Sequence, residues 1–183
     1  MMVVMLIFML GQAIGFLAVG LTLSIYQVNK RESMLLLAMF ASLLYTIHFG
    51  MIGASTAMVL NALAVGRCYV FYKVKPRAKN RWIVYCFLVA NIVSGVIFWE
   101  GAISLLAIFG SMFGIIAGWQ RKPKMIRRYA LLPPPLWFVY DFISGSYAGM
   151  TVEVIRFASN LIGQLRFDGH HKKHLRHKLA HPA

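Results

Sequence analysis

Asp141, Glu153 and Arg156 are ionisable side chains set inside apolar stretches, where charge is costly and tends to mark function. The chain holds only five acids. Glu32 lies in a basic connection, Glu100 at a short turn and Asp168 at the start of a basic tail, so only Asp141 and Glu153 fall within apolar runs. Arg156 follows Glu153 by three residues and shares its helical face, as a partner would. An acid held in hydrocarbon beside a cation suits cation binding or proton coupling. His48, Asn61, Tyr140 and Asn160 add polar groups in other apolar runs. Asn61 and Asn160 have the chemistry to hydrogen-bond a small polar solute, and Tyr140 or Trp137 to pack against it. The competing reading is structural: an inert Glu153–Arg156 pair, Asp141 reaching the headgroups, and His and Asn as helix–helix hydrogen bonds. No nucleophile elbow, phosphate-cradling glycine loop or paired His/Cys ligand spacing accompanies these residues, so no enzyme, cofactor or metal site is expected.

The elements that must position them are membrane spans. Sixty per cent of the residues are apolar and 13% charged, far from the balance of a soluble domain. Seven apolar runs of roughly 20 residues, each able to cross the hydrocarbon, cover approximately 3–26, 34–52, 55–73, 82–99, 101–119, 128–144 and 148–166. One all-α integral membrane domain over 1–167 follows, with a basic, His-rich tail over 168–183. The net charge of +14 does not point to nucleic acid, because it is confined to alternate connections. Lys30 and Arg31, the run from Lys73 to Arg81, the run from Arg121 to Arg128 and the tail are basic. Met51–Ser55, Glu100–Gly101 and Ser144–Tyr147 carry no Lys or Arg. The positive-inside rule then places the amino terminus outside and the tail in the cytoplasm. The first run lacks a basic n-region and an A-x-A site, so it is expected to be a span and not a cleaved signal. Cys68 and Cys86 are expected to be buried thiols.

Part of the chain repeats. Residues 44–61 and 136–153 align without a gap, matching Leu44 with Leu136, Tyr45 with Trp137 and His48 with Tyr140. Gly53 falls on Gly145, Met58 on Met150 and Asn61 on Glu153. A three-span unit ends opposite where it began, so one extra crossing must precede a second copy of the same orientation. This predicts a 3+1+3 parallel repeat, with bundles over about 3–73 and 101–166 and a connector over about 82–99. The polar pairs Asn61/Glu153 and His48/Tyr140 would then face each other between bundles, where a substrate site belongs. At 1.5 Å per residue Glu153 lies roughly 8 Å inside the outer surface of the hydrocarbon, Asp141 about 5 Å, and Arg67 and Asn160 about 18 Å. Gly11, Gly15 and Gly20, and Gly110, Gly114 and Gly118, stripe two runs at the spacing of close helix packing or of hinges. Pro133-Pro134-Pro135 must distort the sixth run, as a bend beside a cavity or an irregular helix start.

The sequence resembles the YgjV-type bacterial inner-membrane proteins and, more distantly, the SWEET, PQ-loop and MtN3 superfamily. The residues that carry the resemblance are Gln12, Gly15, Ala18, Asn29-Lys30-Arg31-Glu32, His48-Phe49, Gly53, Ala57, Asn61-Ala62 and Arg67. In the second half they are Phe142, Gly145-Ser146, Gly149, Glu153 and Asn160. The resemblance implies a seven-span fold in the bacterial inner membrane, an acid at Glu153, and passage of small solutes between two three-helix bundles. The first bundle departs from the wider group in having no Pro-Gln pair and no proline.

The expected function is transport of a small polar solute by alternating access, with His48, Asn61, Tyr140, Asp141, Glu153 and Asn160 at the site. Glu153 and Arg156 would couple an ion or proton. The alternative is a membrane receptor or interaction protein that uses the same fold without transport. Expected partners are the bilayer, anionic lipid at the tail and a possible second copy in a homodimer.

Overall fold

The computed structural model describes residues 2–168. The His-rich tail to which lipid contact was assigned, 169–183, lies outside the described residues. The described residues form eight α-helices: α1 (Met2–Ile25), α2 (Arg31–Ile52), α3 (Ser55–Lys73), α4 (Trp82–Ile97), α5 (Ser104–Gly118), α6 (Pro123–Tyr129), α7 (Pro133–Ile143) and α8 (Tyr147–Asp168). A single 3-10 turn, Ala78–Asn80, precedes α4, and no strand occurs among the described residues. Met5–Ile25, Arg31–Ile52 and Ala78–Ile97 are long and apolar enough, by length and composition, to cross a membrane; Ser104–Gly118 is apolar but shorter.

The sixth apolar run is not one helix. The three prolines supply no N–H donors, so a helix entering them would lose consecutive hydrogen bonds. The chain instead makes a tight turn, with the amides of Leu131 and Leu132 donating to the carbonyls of Arg128 and Tyr129. Helix α7 restarts with Pro133 in its first turn, where a missing N–H costs nothing.

Packing follows small residues. Helix α2 lies between α1 and α3, and α7 packs on both α5 and α8. The two groups meet where α1 lies on α8 and α3 on α5, and α4 rests against α3 and α5. A methyl added to Gly15 would sit 2.6 Å from Ala148 Cβ and 2.8 Å from His48 Nδ1, so α1 approaches both neighbours closely only because Gly15 has no side chain. Gly11 and Gly110 serve similarly, receiving Met51 and Trp137. Gly20 does not belong to this packing, because nothing lies within 4 Å of the space its side chain would fill. Of the two thiols, Cys68 is buried and Cys86 is exposed on α4, contrary to the expectation for the pair.

The repeated segments form hairpins of the same local geometry. Gly53 (φ 82°) and Gly145 (φ 68°) each adopt the left-handed conformation that stops a helix. Behind them the Ala54 amide donates to the Phe49 carbonyl at 3.0 Å, and the Ser146 amide to the Asp141 carbonyl at 2.9 Å. Ala54 aligns with Ser146 and Phe49 with Asp141.

The basic connections converge at one end of the molecule. Arg31 Nε donates to the Gln120 carbonyl at 2.9 Å. Arg127 is almost fully buried and forks onto Asp168, at 2.6 and 3.1 Å, with a further bond to Asn29. Asp168 is therefore the last residue of α8 and the counter-ion of a buried guanidinium, not part of a free tail. Breaking a buried pair strands the remaining charge, at about 3–5 kcal/mol. We expect Asp168→Asn to cost about 3 kcal/mol, toward the lower limit because Asp168 keeps some exposure. The thermal midpoint of the purified protein measures this, and an unchanged midpoint would show that the pair contributes nothing.

Candidate functional site

A cavity of about 150 Å³ lies at the seam between α1–α3 and α5–α8. Most of its lining residues, though not Arg67, Cys68 or Gly149 among others, come in pairs separated by 92 positions, the same offset that aligns Tyr45 with Trp137. From α1 and its end, Thr22, Ile25 and Tyr26 pair with Gly114, Ala117 and Gly118. From α2, Met34, Ala38, Ala41, Tyr45 and Phe49 pair with Ile126, Ala130, Pro133, Trp137 and Asp141. From α3, Leu60, Asn61 and Ala64 pair with Val152, Glu153 and Arg156. Ala130 and Pro133 place the α6–α7 break on the cavity wall, so the prolines both start a helix and shape the cavity.

Positional pairing does not extend to chemistry. The α5–α8 half contributes Asp141, Glu153 and Arg156, whereas the counterparts in α1–α3 are Phe49, Asn61 and Ala64. The charge on the α1–α3 side is Arg67, whose Nη1 donates to the Ser111 carbonyl at 3.4 Å. Glu153 Oε1 pairs with Arg156 at 2.9 Å. Four buried polar atoms on lining residues make no hydrogen bond within the protein: Tyr45 Oη, Arg67 Nε, Asp141 Oδ1 and Glu153 Oε2. Asp141 is 1% exposed and Glu153 3%. Buried polar groups are nearly always partnered, so four such atoms around one cavity give it the chemistry of a polar binding site.

Of the residues expected at the site, Asn61, Asp141, Glu153 and Arg156 line this cavity, and Trp137 forms part of its wall. His48, Tyr140 and Asn160 are fully buried outside it. His48 Nδ1 donates to the Gly11 carbonyl at 2.8 Å and its Nε2 bonds the Ser146 hydroxyl at 2.8 Å, joining α1, α2 and the α7–α8 turn. Tyr140 donates its hydroxyl to Glu100 at 3.1 Å. Asn160 donates to the Arg127 carbonyl at 2.7 Å, so it braces the basic end and forms no cavity floor.

A family model described as a bacterial inner membrane protein, Imp-YgjV, matches residues 9–171. The chain belongs to this family. No curated protein and no solved structure matches it.

In this inner membrane protein, sequence reasoning passed over Tyr45 and Glu100. Tyr45 was legible as the counterpart of Trp137. Glu100 looked like an ordinary turn acid, yet it receives the amides of Ser55 and Thr56, at 2.6 and 3.1 Å, as well as the Tyr140 hydroxyl. A carboxylate there completes the helix start that Ala54 cannot cap. The start of α8 is served likewise from a distance: the Ala148 amide, counterpart of Thr56, donates to Gln12 at 3.1 Å.

Burial pushes the Glu100 carboxyl up, but the hydrogen bonds from Thr56, Ser55 and Tyr140 outweigh it and hold the group below its ordinary 4.5. A depressed folded pKa contributes stability above the unfolded value and loses it as pH falls through the folded one. The thermal midpoint of wild type should therefore exceed that of Glu100→Gln by a constant margin above about pH 5. That margin should shrink as pH drops through and below 4.5. A margin independent of pH would contradict the capping role.

Gly149 is the second test of the site. A methyl there would lie 2.4 Å from Asp141 Cγ and Oδ1 and 2.5 Å from Ser146 Oγ. We expect Gly149→Ala to cost about 1–3 kcal/mol through overpacking, and Gly20→Ala to leave the thermal midpoint unchanged or higher. Equal midpoints for the two variants would mean that Asp141 is not held against α8.

Proposed function

We propose that this inner membrane protein moves a small polar solute by alternating access between two three-helix bundles. In this reading α1–α3 form one bundle and α5–α8 the other, with α6 and α7 acting as a single broken span and α4 as connector. Seven crossings result, with the amino terminus outside and the basic connections in the cytoplasm. The observation that carries the reading is the pairing of cavity residues at one constant offset. Two copies of one unit, related by an axis along the membrane normal, meet face to face around such a cavity, which is where a repeat transporter holds its substrate. The packing of α1 on α8 and of α3 on α5 supports the same relation, since each contact is the counterpart of the other.

Within this reading Asn61, Asp141 and Glu153 contact the solute, and Glu153 with Arg156 binds the coupled cation or proton. His48, Tyr140 and Asn160 act outside the cavity by holding its surroundings. Glu100 with Tyr140 bridges the bundles at the outer end, and Arg31 with the Gln120 carbonyl bridges them at the inner end. Transport requires each bridge to open in turn. That both ends are bridged at once is the observation favouring the second reading, a receptor or interaction protein that stays closed.

Accessibility separates the two. In a Cys68→Ser, Cys86→Ser background, a cysteine at Ala64 would report on the cavity wall. We expect a membrane-impermeant thiol reagent to label it in both right-side-out and inside-out vesicles, on a timescale of minutes. Labelling from one side only, or from neither, would overturn alternating access and favour the static protein.

A further inference from the structure

The cavity walls differ in charge as well as in origin. On the α5–α8 side Glu153 pairs with Arg156, leaving Asp141 as the acid without an ion-pair partner. Its Oδ1 is buried and makes no hydrogen bond within the protein. On the α1–α3 side the ionisable group is Arg67, with Nε buried and equally unpartnered. The cavity thus presents an unpaired acid on one bundle and an unpaired guanidinium on the other, with no ion pair joining Arg67 to Asp141 among the described residues. Tyr45 and Trp137, at paired positions, supply aromatic wall around the midsection. A solute with a single charged group would engage one wall and leave the polar group of the other buried without a partner, which is costly.

We propose that the solute is a small zwitterion, its cationic group held by Asp141 and its anionic group by Arg67. This deepens the transport reading and rests on it for direction of movement, but binding can be tested separately. A zwitterion spanning the cavity fastens the two bundles to each other through charges that each bundle lacks, so binding and bundle closure become linked. The volume limits the size. A cavity of about 150 Å³ accommodates a molecule as large as benzene, which puts the solute at about six to eight non-hydrogen atoms. The smallest free amino acids and short ω-amino acids belong to this class; sugars and dicarboxylates do not.

The test is thermal unfolding of the full-length protein in detergent with three matched probes: 4-aminobutyrate, butylammonium and butyrate. The series from glycine to 5-aminopentanoate covers the unknown charge separation. At least one zwitterion should raise the midpoint by about 3–6 °C at ten times its Kd, while its single-charge analogues at equal concentration leave the midpoint unmoved. Arg67→Gln and Asp141→Asn should abolish the rise, and Arg67→Lys should retain it. Should Asp141→Asn fail to fold, the Gln and Lys variants at Arg67 decide between charge recognition and simple packing. The proposal is overturned if no zwitterion in the series shifts the midpoint, if a single-charge analogue matches it, or if Arg67→Gln responds like wild type. Two-sided labelling at position 64 alongside any of those results would leave transport standing and remove only the zwitterion. One-sided labelling together with a zwitterion shift would do the reverse.

Discussion

The close approach of α1 to α2 and α8 at Gly15 is the contact on which the rest of the seam depends. In an environment without water, helices gain no hydrophobic reward for meeting, and they associate through short-range packing and hydrogen bonds between polar groups. Gly15 admits both at once. Its missing side chain lets Ala148 come within packing distance and leaves room for the His48 ring. The ring then ties Gly11 to Ser146, and Ser146 in turn accepts the Gly149 amide at 3.0 Å. Gly149 is the residue against which Asp141 lies. A chain of contacts thus runs from a glycine on the first helix to a carboxylate in the cavity, every member of it too small or too fully bonded to be displaced cheaply. His48 belongs to the site in this sense, although it does not touch the cavity.

Position and chemistry have separated within the two halves. Residues 92 apart line the same cavity from α1 to α3 and from α5 to α8, and the two hairpins share their helix stops and hydrogen bonds. Yet Phe49, Asn61 and Ala64 are apolar or neutral where Asp141, Glu153 and Arg156 are ionisable. Holding three ionisable groups on one wall has a physical consequence. A cluster with its own internal pair, Glu153–Arg156, lets one further acid be buried without a large cluster charge, because the pair offsets itself. Had the charges been shared evenly between halves, each would have needed its counter-ion across the cavity, and the bundles would be held together by their own side chains.

The sequence made the helical, membrane-embedded nature of the chain legible because hydrocarbon imposes a simple demand: long apolar runs and positive charge on alternate connections. The likeness of residues 44–61 to 136–153 was legible at the hairpins, where turn glycines and flanking residues keep recognisable types. It was less so in α1 and α5, where pairs such as Thr22 and Gly114 share a place but no chemistry. Asn61, Asp141, Glu153 and Arg156 were found as polar residues out of place. That rule cannot tell a residue facing a cavity from one bonding a neighbouring helix, and so it also selected His48, Tyr140 and Asn160. Three-dimensional partners make the distinction, and the partners are carbonyls and a turn acid that no sequence spacing announces. Glu100 escaped for the converse reason. An acid in a turn is ordinary, and its importance comes from the amides of a helix forty-five residues earlier in the chain.

The two ends of the molecule are closed by different physics, and that difference constrains how either could open. At the basic end a buried guanidinium is forked onto a carboxylate, and its backbone carbonyl accepts from Asn160. Nothing there releases without leaving a charge in a low-dielectric setting, which makes the end a rigid clasp of α6 and α8, tied across the seam by the bond from Arg127 to Asn29. Toward that end Gln27 also donates to Ser159, and the bonds from Arg31 to the carbonyls of Gln120 and Gly118 are made to backbone and can be exchanged for water. At the Glu100 end the bridge is a hydroxyl donating to a partly solvated carboxylate, which retains its two amide bonds to α3 if Tyr140 departs. At these two points the bonds across the seam can be exchanged for water, whereas the buried contact of His48 with Ser146 beside Gly15 cannot be given up cheaply. A molecule built this way can loosen at those points only about that buried contact, which rigid-body motion around the cavity would have to use as its pivot.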